Sequence, residues 1–415
     1  MKTTSPMDPS TTILNLPNGI RVIHKSCVGL ISCCGFVLQV GSRDELDFES
    51  GLAHFTEHML FKGTTNRRPH HILNRMETVG GELNAYTTKE ELYVYSMFLE
   101  KDYERAIELL TDLVHHSVFQ TSEIEKERLV IMDEINSYED SPSDLIFDDF
   151  EALLYGQHPI GRRILGSPDS LNAFDQQHFV DFLERNYDTE RLVFYSQSSI
   201  STKHFNKLID KYLSVLPRKK AMKSNSLLPN PHRGMIETLH KDTHQAHVII
   251  GGKNYELNDP KRIGMVLLSN ILGGPGMNSR LNVSLREKRG LVYSVESGVS
   301  SYSDTGLFTI YLGTDPSNLD QCLTIVEKEL RLLMDNKLTD RQLKSAQNQL
   351  FGQMAISSEN KENATLAMGK SLLHFNKYDS MEEVMNHVLT FKALDLMDIA
   401  NEILEIKKLN RIIYD

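Results

Sequence analysis

His54-Phe55-Thr56-Glu57-His58 places two imidazoles and a carboxylate within little more than one turn of helix. Residues four apart on a helix lie one above the other. His54 and His58 can therefore reach one metal ion together, while Glu57 sits beside them within reach of a water at that ion. At about 100° per residue, Leu52, Phe55 and Met59 fall roughly 140° away from this polar side. That apolar stripe predicts a buried helix with its polar cluster turned toward a cavity. The order H-x-x-E-H is the inverse of the H-E-x-x-H metalloprotease motif. A chain with 16 histidines offers such a spacing by chance, so the remaining sequence has to decide.

A catalytic zinc takes three protein ligands and keeps one position open. The candidate third ligand lies in the stretch from Glu125 to Ile135, whose pattern is helical, with Thr121-Ser122 as its cap and Glu123 and Glu125 in its first turn. Glu127 and Glu134 are seven apart and share a face with Ile124, Ile131 and Ile135. A carboxylate beside an apolar stripe is costly unless it is paired or binds metal. From the residues alone, an edge carboxylate reaching water or pairing with Arg128 fits this pattern as well.

Further segments carry a resemblance. They are Leu16-Pro17-Asn18-Gly19, Gly41-Ser42-Arg43-Asp44-Glu45, Glu57 through Thr64 (EHMLFKGT), Gly80 through Thr87 (GGELNAYT) and Leu285 through Ser294 (LREKRGLVYS). With His54, His58, Glu127 and Glu134 in their spacing, the chain resembles the pitrilysin/insulinase family of zinc peptidases from about Thr12 to its C-terminus. It is most similar to the two-domain branch that includes mitochondrial processing peptidase and its bacterial relatives. The resemblance implies one Zn²⁺ per chain, held by His54, His58 and Glu134. Glu57 is then the catalytic base, and Glu127 orients a ligand or the site helix from behind. It also implies that Leu83, Asn84, Ala85 and Tyr86 form a substrate-binding strand, to which an extended peptide adds through its backbone.

Arg286 and Tyr293 stand seven apart in the second half. From spacing alone they are a solvated residue at a basic helix end and a strand filler. The resemblance instead implies a catalytic pair that lies over the zinc and donates to the oxyanion formed on attack. Relatives built as one long chain enclose the site between distant domains. A half-length chain carrying both elements is expected to form a clamshell homodimer, each Arg286/Tyr293 pair completing the partner's site. Gly273-Gly274-Pro275-Gly276 is similar to a flexible family loop, and no G-K-[ST] follows it, which argues against a nucleotide.

The 415 residues suggest two or three domains. Pro217, Pro229, Pro231 and a Lys/Ser-rich run predict a linker at 217–234, between an N-terminal zinc-binding domain (1–216) and a C-terminal domain (235–415). Both halves run strands, helix, strand pair, long helix and Thr-capped helix in parallel. This predicts an α+β duplication, each copy a mainly antiparallel sheet with helices on one face. With the Thr caps superposed, Ser345 and Gly352 fall opposite Glu127 and Glu134, so only the first copy has ligands. The net charge of −11 disfavours nucleic acid and anionic membranes as partners and speaks mainly to solubility. No apolar run reaches the roughly 18 residues of a membrane span. The polar stretch Met1 to Thr12 lacks a signal core, so a cytoplasmic location is expected. Cys27, Cys33, Cys34 and Cys322 form no C-x-x-C pair and are expected to be structural thiols. The expected activity is zinc-dependent endoproteolysis of extended or unfolded peptides in an enclosed chamber. A presequence-processing peptidase and a non-catalytic scaffold subunit of the same fold are the alternatives.

Overall fold

The computed structural model describes residues 10–221, 228–241 and 243–415. The start of the polar N-terminal stretch and the middle of the expected linker lie outside the described residues. Eleven strands appear in chain order among the described residues: β1 (Thr11–Asn15), β2 (Arg21–Ser26), β3 (Ile31–Leu38), β4 (Glu82–Thr87), β5 (Leu92–Leu99), β6 (Leu192–Ser198), β7 (Ile236–Leu239), β8 (Ala246–Lys253), β9 (Val292–Ser301), β10 (Gly306–Thr314) and β11 (Asn410–Tyr414). They form two sheets, β1-β2-β6-β3-β5-β4 and β7-β11-β8-β10-β9.

The duplication is visible strand for strand. Removing β1 leaves the order β2-β6-β3-β5-β4, which the second sheet repeats as β7-β11-β8-β10-β9. Each sheet has one parallel pair, β2 with β6 and β11 with β7, and is otherwise antiparallel. The central strands are near-continuous apolar runs. In β3 seven of the eight residues of ISCCGFVL are buried, as expected for a strand covered on both faces. The edge strand β4 is only half-buried and bonds to β5 alone.

Helices that follow each sheet's own strands pack on one face, as expected. The opposite face is covered as well, by a helix from the other half of the sequence. Lys361–Phe375 lies on β2, β3 and β6, where Met368, Leu372 and Leu373 meet Ile23, Val37, Tyr93 and Tyr195. Pro142–Tyr155 lies on β8 and β11, where Ile146, Phe150 and Leu154 meet Ile249, Ile412 and Tyr414. The two compact units therefore do not follow the halves of the sequence. One takes the described residues up to Ile135, those from Arg163 into the 217–234 stretch, and Ile356–Ser380. The other takes Asn136–Arg162, the residues from the 217–234 stretch to Ala355, and Met381–Asp415.

Cys33, Cys34 and Cys322 are buried, Cys27 is partly buried, and all four are free thiols. No described helix is long and apolar enough to cross a membrane.

At Gly369 the exchanged helix lies close against the first sheet. A Cβ there would lie 2.4 Å from the Tyr195 ring, which is fully buried and has nowhere to move. Gly369→Val is therefore expected to destabilise the first unit by about 1–3 kcal/mol, the usual range for overpacking. Thermal or denaturant unfolding compared with the parent protein checks this.

Candidate metal centre

The site helix, Leu52–Leu60, begins after Gly51, whose φ of 93° suits glycine. Its Cβ would lie 2.7 Å from the Leu165 carbonyl oxygen, a second reason for glycine. Glycine offers no capping side chain, and a carboxylate from the preceding loop replaces it. Glu45, almost fully buried, accepts hydrogen bonds from Gly51 N–H (3.1 Å) and Ala53 N–H (2.8 Å). An acidic group at this end also complements the helix dipole.

Every residue of the helix except His58 is buried, His54 and Glu57 included. Ala53, Phe55, Met59 and Leu60 belong to the main core of the unit, while the polar side meets β4 and the helix Thr121–Glu139. On that helix Ile124, Glu127, Ile131 and Ile135 are buried, and Glu134 sits at the rim with its side chain 45% exposed.

His54 Nε2 lies 3.8 Å and His58 Nε2 3.7 Å from the same Glu134 oxygen, Oε2. All three ligand atoms fall within 4.8 Å of one another. Tetrahedral zinc with bonds of about 2.0–2.1 Å separates its ligands by roughly 3.4 Å. The donor set of two imidazoles and a carboxylate fits that ion in both chemistry and spacing. His54, His58 and Glu134 form the one such cluster among the described residues.

The surroundings tune this set. Glu127 accepts the His58 Nδ1 hydrogen at 2.9 Å, fixing the tautomer that turns Nε2 toward Glu134. Its other oxygen is 2.6 Å from Lys62 Nζ. Burial works against the Glu127 charge, but the bonds to His58 and Lys62 outweigh it and hold the carboxyl below its ordinary range. Burial likewise works against charge on His58, yet Glu127, Glu57 and Glu134 together raise its proton affinity. His54 Nδ1 is buried without a hydrogen-bond partner among the described residues; burial, with His58 adding to it, pushes this imidazole down to about 3, which favours the neutral form that binding a metal requires. Burial raises Glu57, although the Thr87 hydroxyl donates to its Oε2 at 2.6 Å. A carboxylate with raised proton affinity suits a general base.

Of the residues expected from the sequence, the structure brings together His54, His58, Glu134, Glu57 and Glu127. Leu83, Asn84, Ala85 and Tyr86 lie on edge strand β4, which packs against the site helix. Arg286 and Tyr293 belong to the second unit, where both are exposed. Arg286 is on a short wide-turn helix, Asn282–Glu287, and Tyr293 is the second residue of β9. Sequence reasoning missed Lys62, Thr87 and Glu45 as parts of the site, although each lay inside a segment that carried the resemblance.

A duplicated fold with this donor set is the arrangement of zinc peptidases, and the sequence comparisons agree. A family model described as insulinase (peptidase family M16) matches residues 21–168, and one described as the peptidase M16 inactive domain matches residues 173–350. An uncharacterized zinc protease of Rickettsia felis is 33% identical over 398 residues, covering 96% of each chain. An uncharacterized zinc protease of Bacillus subtilis is 32% identical over 373 residues, 89% of this chain and 90% of its own. The crystal structure of a protease from Helicobacter pylori shares the fold, with a TM-score of 0.90 at 20% identity over 98% of this chain and 100% of that one. The chain belongs to the insulinase (pitrilysin, M16) family of zinc peptidases.

Glu127→Ala should lower zinc affinity by about 10- to 100-fold, as loss of a partner behind a ligating histidine does. Glu134→Ala, which removes a ligand, should lower it further. Competition with a chromophoric chelator measures both, and full zinc occupancy of Glu134→Ala at low free zinc would remove Glu134 from the ligand set.

Proposed function

We propose that this protein is a zinc-dependent endopeptidase acting on extended or unfolded peptides. The observation that supports it most is the meeting of three elements at one point. These are the His54/His58/Glu134 donor set, the buried Glu57 beside it, and the edge strand β4, which pairs on one side only among the described residues and whose last residue, Thr87, bonds to Glu57.

That edge suits a peptide. Thr88 N–H bonds to the Glu91 carbonyl at 2.8 Å, which sets the alternation of the β4–β5 ladder. Asn84 and Tyr86 then bond to β5, whereas the backbone groups of Leu83, Ala85 and Thr87 face the open side. A peptide laid along Leu83 and Ala85 would bond through its main chain, with little demand on its sequence. Its next residues would arrive beside Glu57. Only an extended chain can pair in this way, so unfolded peptides are the fitting substrate class.

Zinc held by His54, His58 and Glu134 supplies Lewis acidity toward water and the substrate carbonyl. Glu57 takes the proton of the attacking water and passes it to the departing amide nitrogen. Glu127, braced by Lys62, keeps His58 in its ligating tautomer. Arg286 and Tyr293 donate to the developing oxyanion, and in this reading they come from a second copy of the chain, which closes the chamber.

Glu57→Gln should retain zinc and lose about 10²- to 10⁴-fold in turnover on an internally quenched extended peptide. Chelator should abolish wild-type cleavage, and re-addition of zinc should restore it. Chelator-resistant hydrolysis would overturn the assignment. Mixing Glu57→Gln subunits with Arg286→Ala subunits should recover part of the activity if each site draws on two chains. No recovery, with subunit exchange demonstrated, would refute the shared site.

A further inference from the structure

β4 and the site helix are joined by a specific polar contact as well as by packing. Thr87, the last residue of the strand, donates its hydroxyl to Glu57 Oε2 at 2.6 Å. By the ladder's alternation its backbone N–H faces the open edge, in line with the outward groups of Leu83 and Ala85. Leu83 and Ala85 pack toward the core that holds the site helix, while Tyr86 faces the other layer, so the Thr87 side chain also lies on the site-helix side. Glu57 is therefore tied to the last residue of the edge strand, beside its row of outward backbone groups.

We infer that Thr87 is a positioning residue: it fixes the orientation of the Glu57 carboxylate and ties the general base to the register of the substrate strand. The inference rests on the peptidase reading for its functional consequence, though not for its geometry. A buried carboxylate that accepts a short hydrogen bond from a strand residue loses rotational freedom. One oxygen is engaged by Thr87, and the other is left to face the reacting water. Loss of the hydroxyl releases the carboxylate to other rotamers without touching His54, His58, Glu134 or the pairing groups of Leu83 and Ala85. The effect belongs to turnover and leaves peptide binding and zinc retention unchanged.

Ser and Ala at position 87 differ only in the hydroxyl, so comparing Thr87→Ser with Thr87→Ala isolates the bond from any cost of the lost methyl group. Thr87→Ala is expected to lower kcat about 10- to 100-fold, the worth of one hydrogen bond to a charged group, with KM and zinc content unchanged. Thr87→Ser should restore kcat to within about threefold of the parent, since it keeps the donor. Equal kcat values for the two variants, or a change confined to KM, would overturn the inference. A wild-type protein without chelator-sensitive cleavage would sink the peptidase reading instead. The inference is then read from crystals of Thr87→Ala, in which Glu57 should spread over more than one rotamer. A single, unmoved Glu57 there would refute it.

Discussion

The metal site depends on holding a nine-residue helix rigidly at both ends, and two buried carboxylates do this. At the N-terminus Glu45 satisfies amide groups that Gly51 cannot cap. Beyond the C-terminus Lys62 reaches Glu127, which in turn grips His58. Both carboxylates are costly to bury and are retained because each is bonded to more than one donor. Between these anchors, Phe55 and Met59 fix the roll of the helix in the core. His54 and His58 then have one direction in which to point. Without these anchors, a helix this short would be marginal by itself.

Duplication explains why half of the protein carries no ligands and is still built to the same plan. The second sheet reproduces the strand order of the first, including the single parallel pair. At the positions of Glu127 and Glu134 its long helix has Ser345 and Gly352, and a side chain at Gly352 would meet open space. This copy presents Arg286 and Tyr293 on exposed surface instead.

Much of this was legible in the residues. The four-residue spacing of His54 and His58 is a local property, and so is the shared face of Glu127 and Glu134. The role of Glu134 needed family resemblance, because an exposed carboxylate near an apolar stripe has several ordinary fates. Lys62, Thr87 and Glu45 were hidden for a different reason: each bonds to a group at least six positions away, along a path that only the folded chain defines. The helix Pro142–Tyr155 shows the same limit on a larger scale. Leu145, Ile146, Phe150 and Leu154 declare an apolar face, but nothing local says which sheet that face will cover. The central strands β6 and β11 pair with partners more than 150 residues away, which short-range patterning does not encode.

The exchanged helices bear on how the polypeptide is made. A ribosome emits the first sheet long before it emits Lys361–Phe375, so Ile23, Val37, Tyr93 and Tyr195 stay uncovered until that helix emerges. Neither half can finish its core alone, and a fragment ending at the 217–234 stretch would carry a raw apolar sheet face together with an orphan amphipathic helix. Apolar surface exposed in this way during synthesis is prone to aggregation, the hazard that chaperones counter.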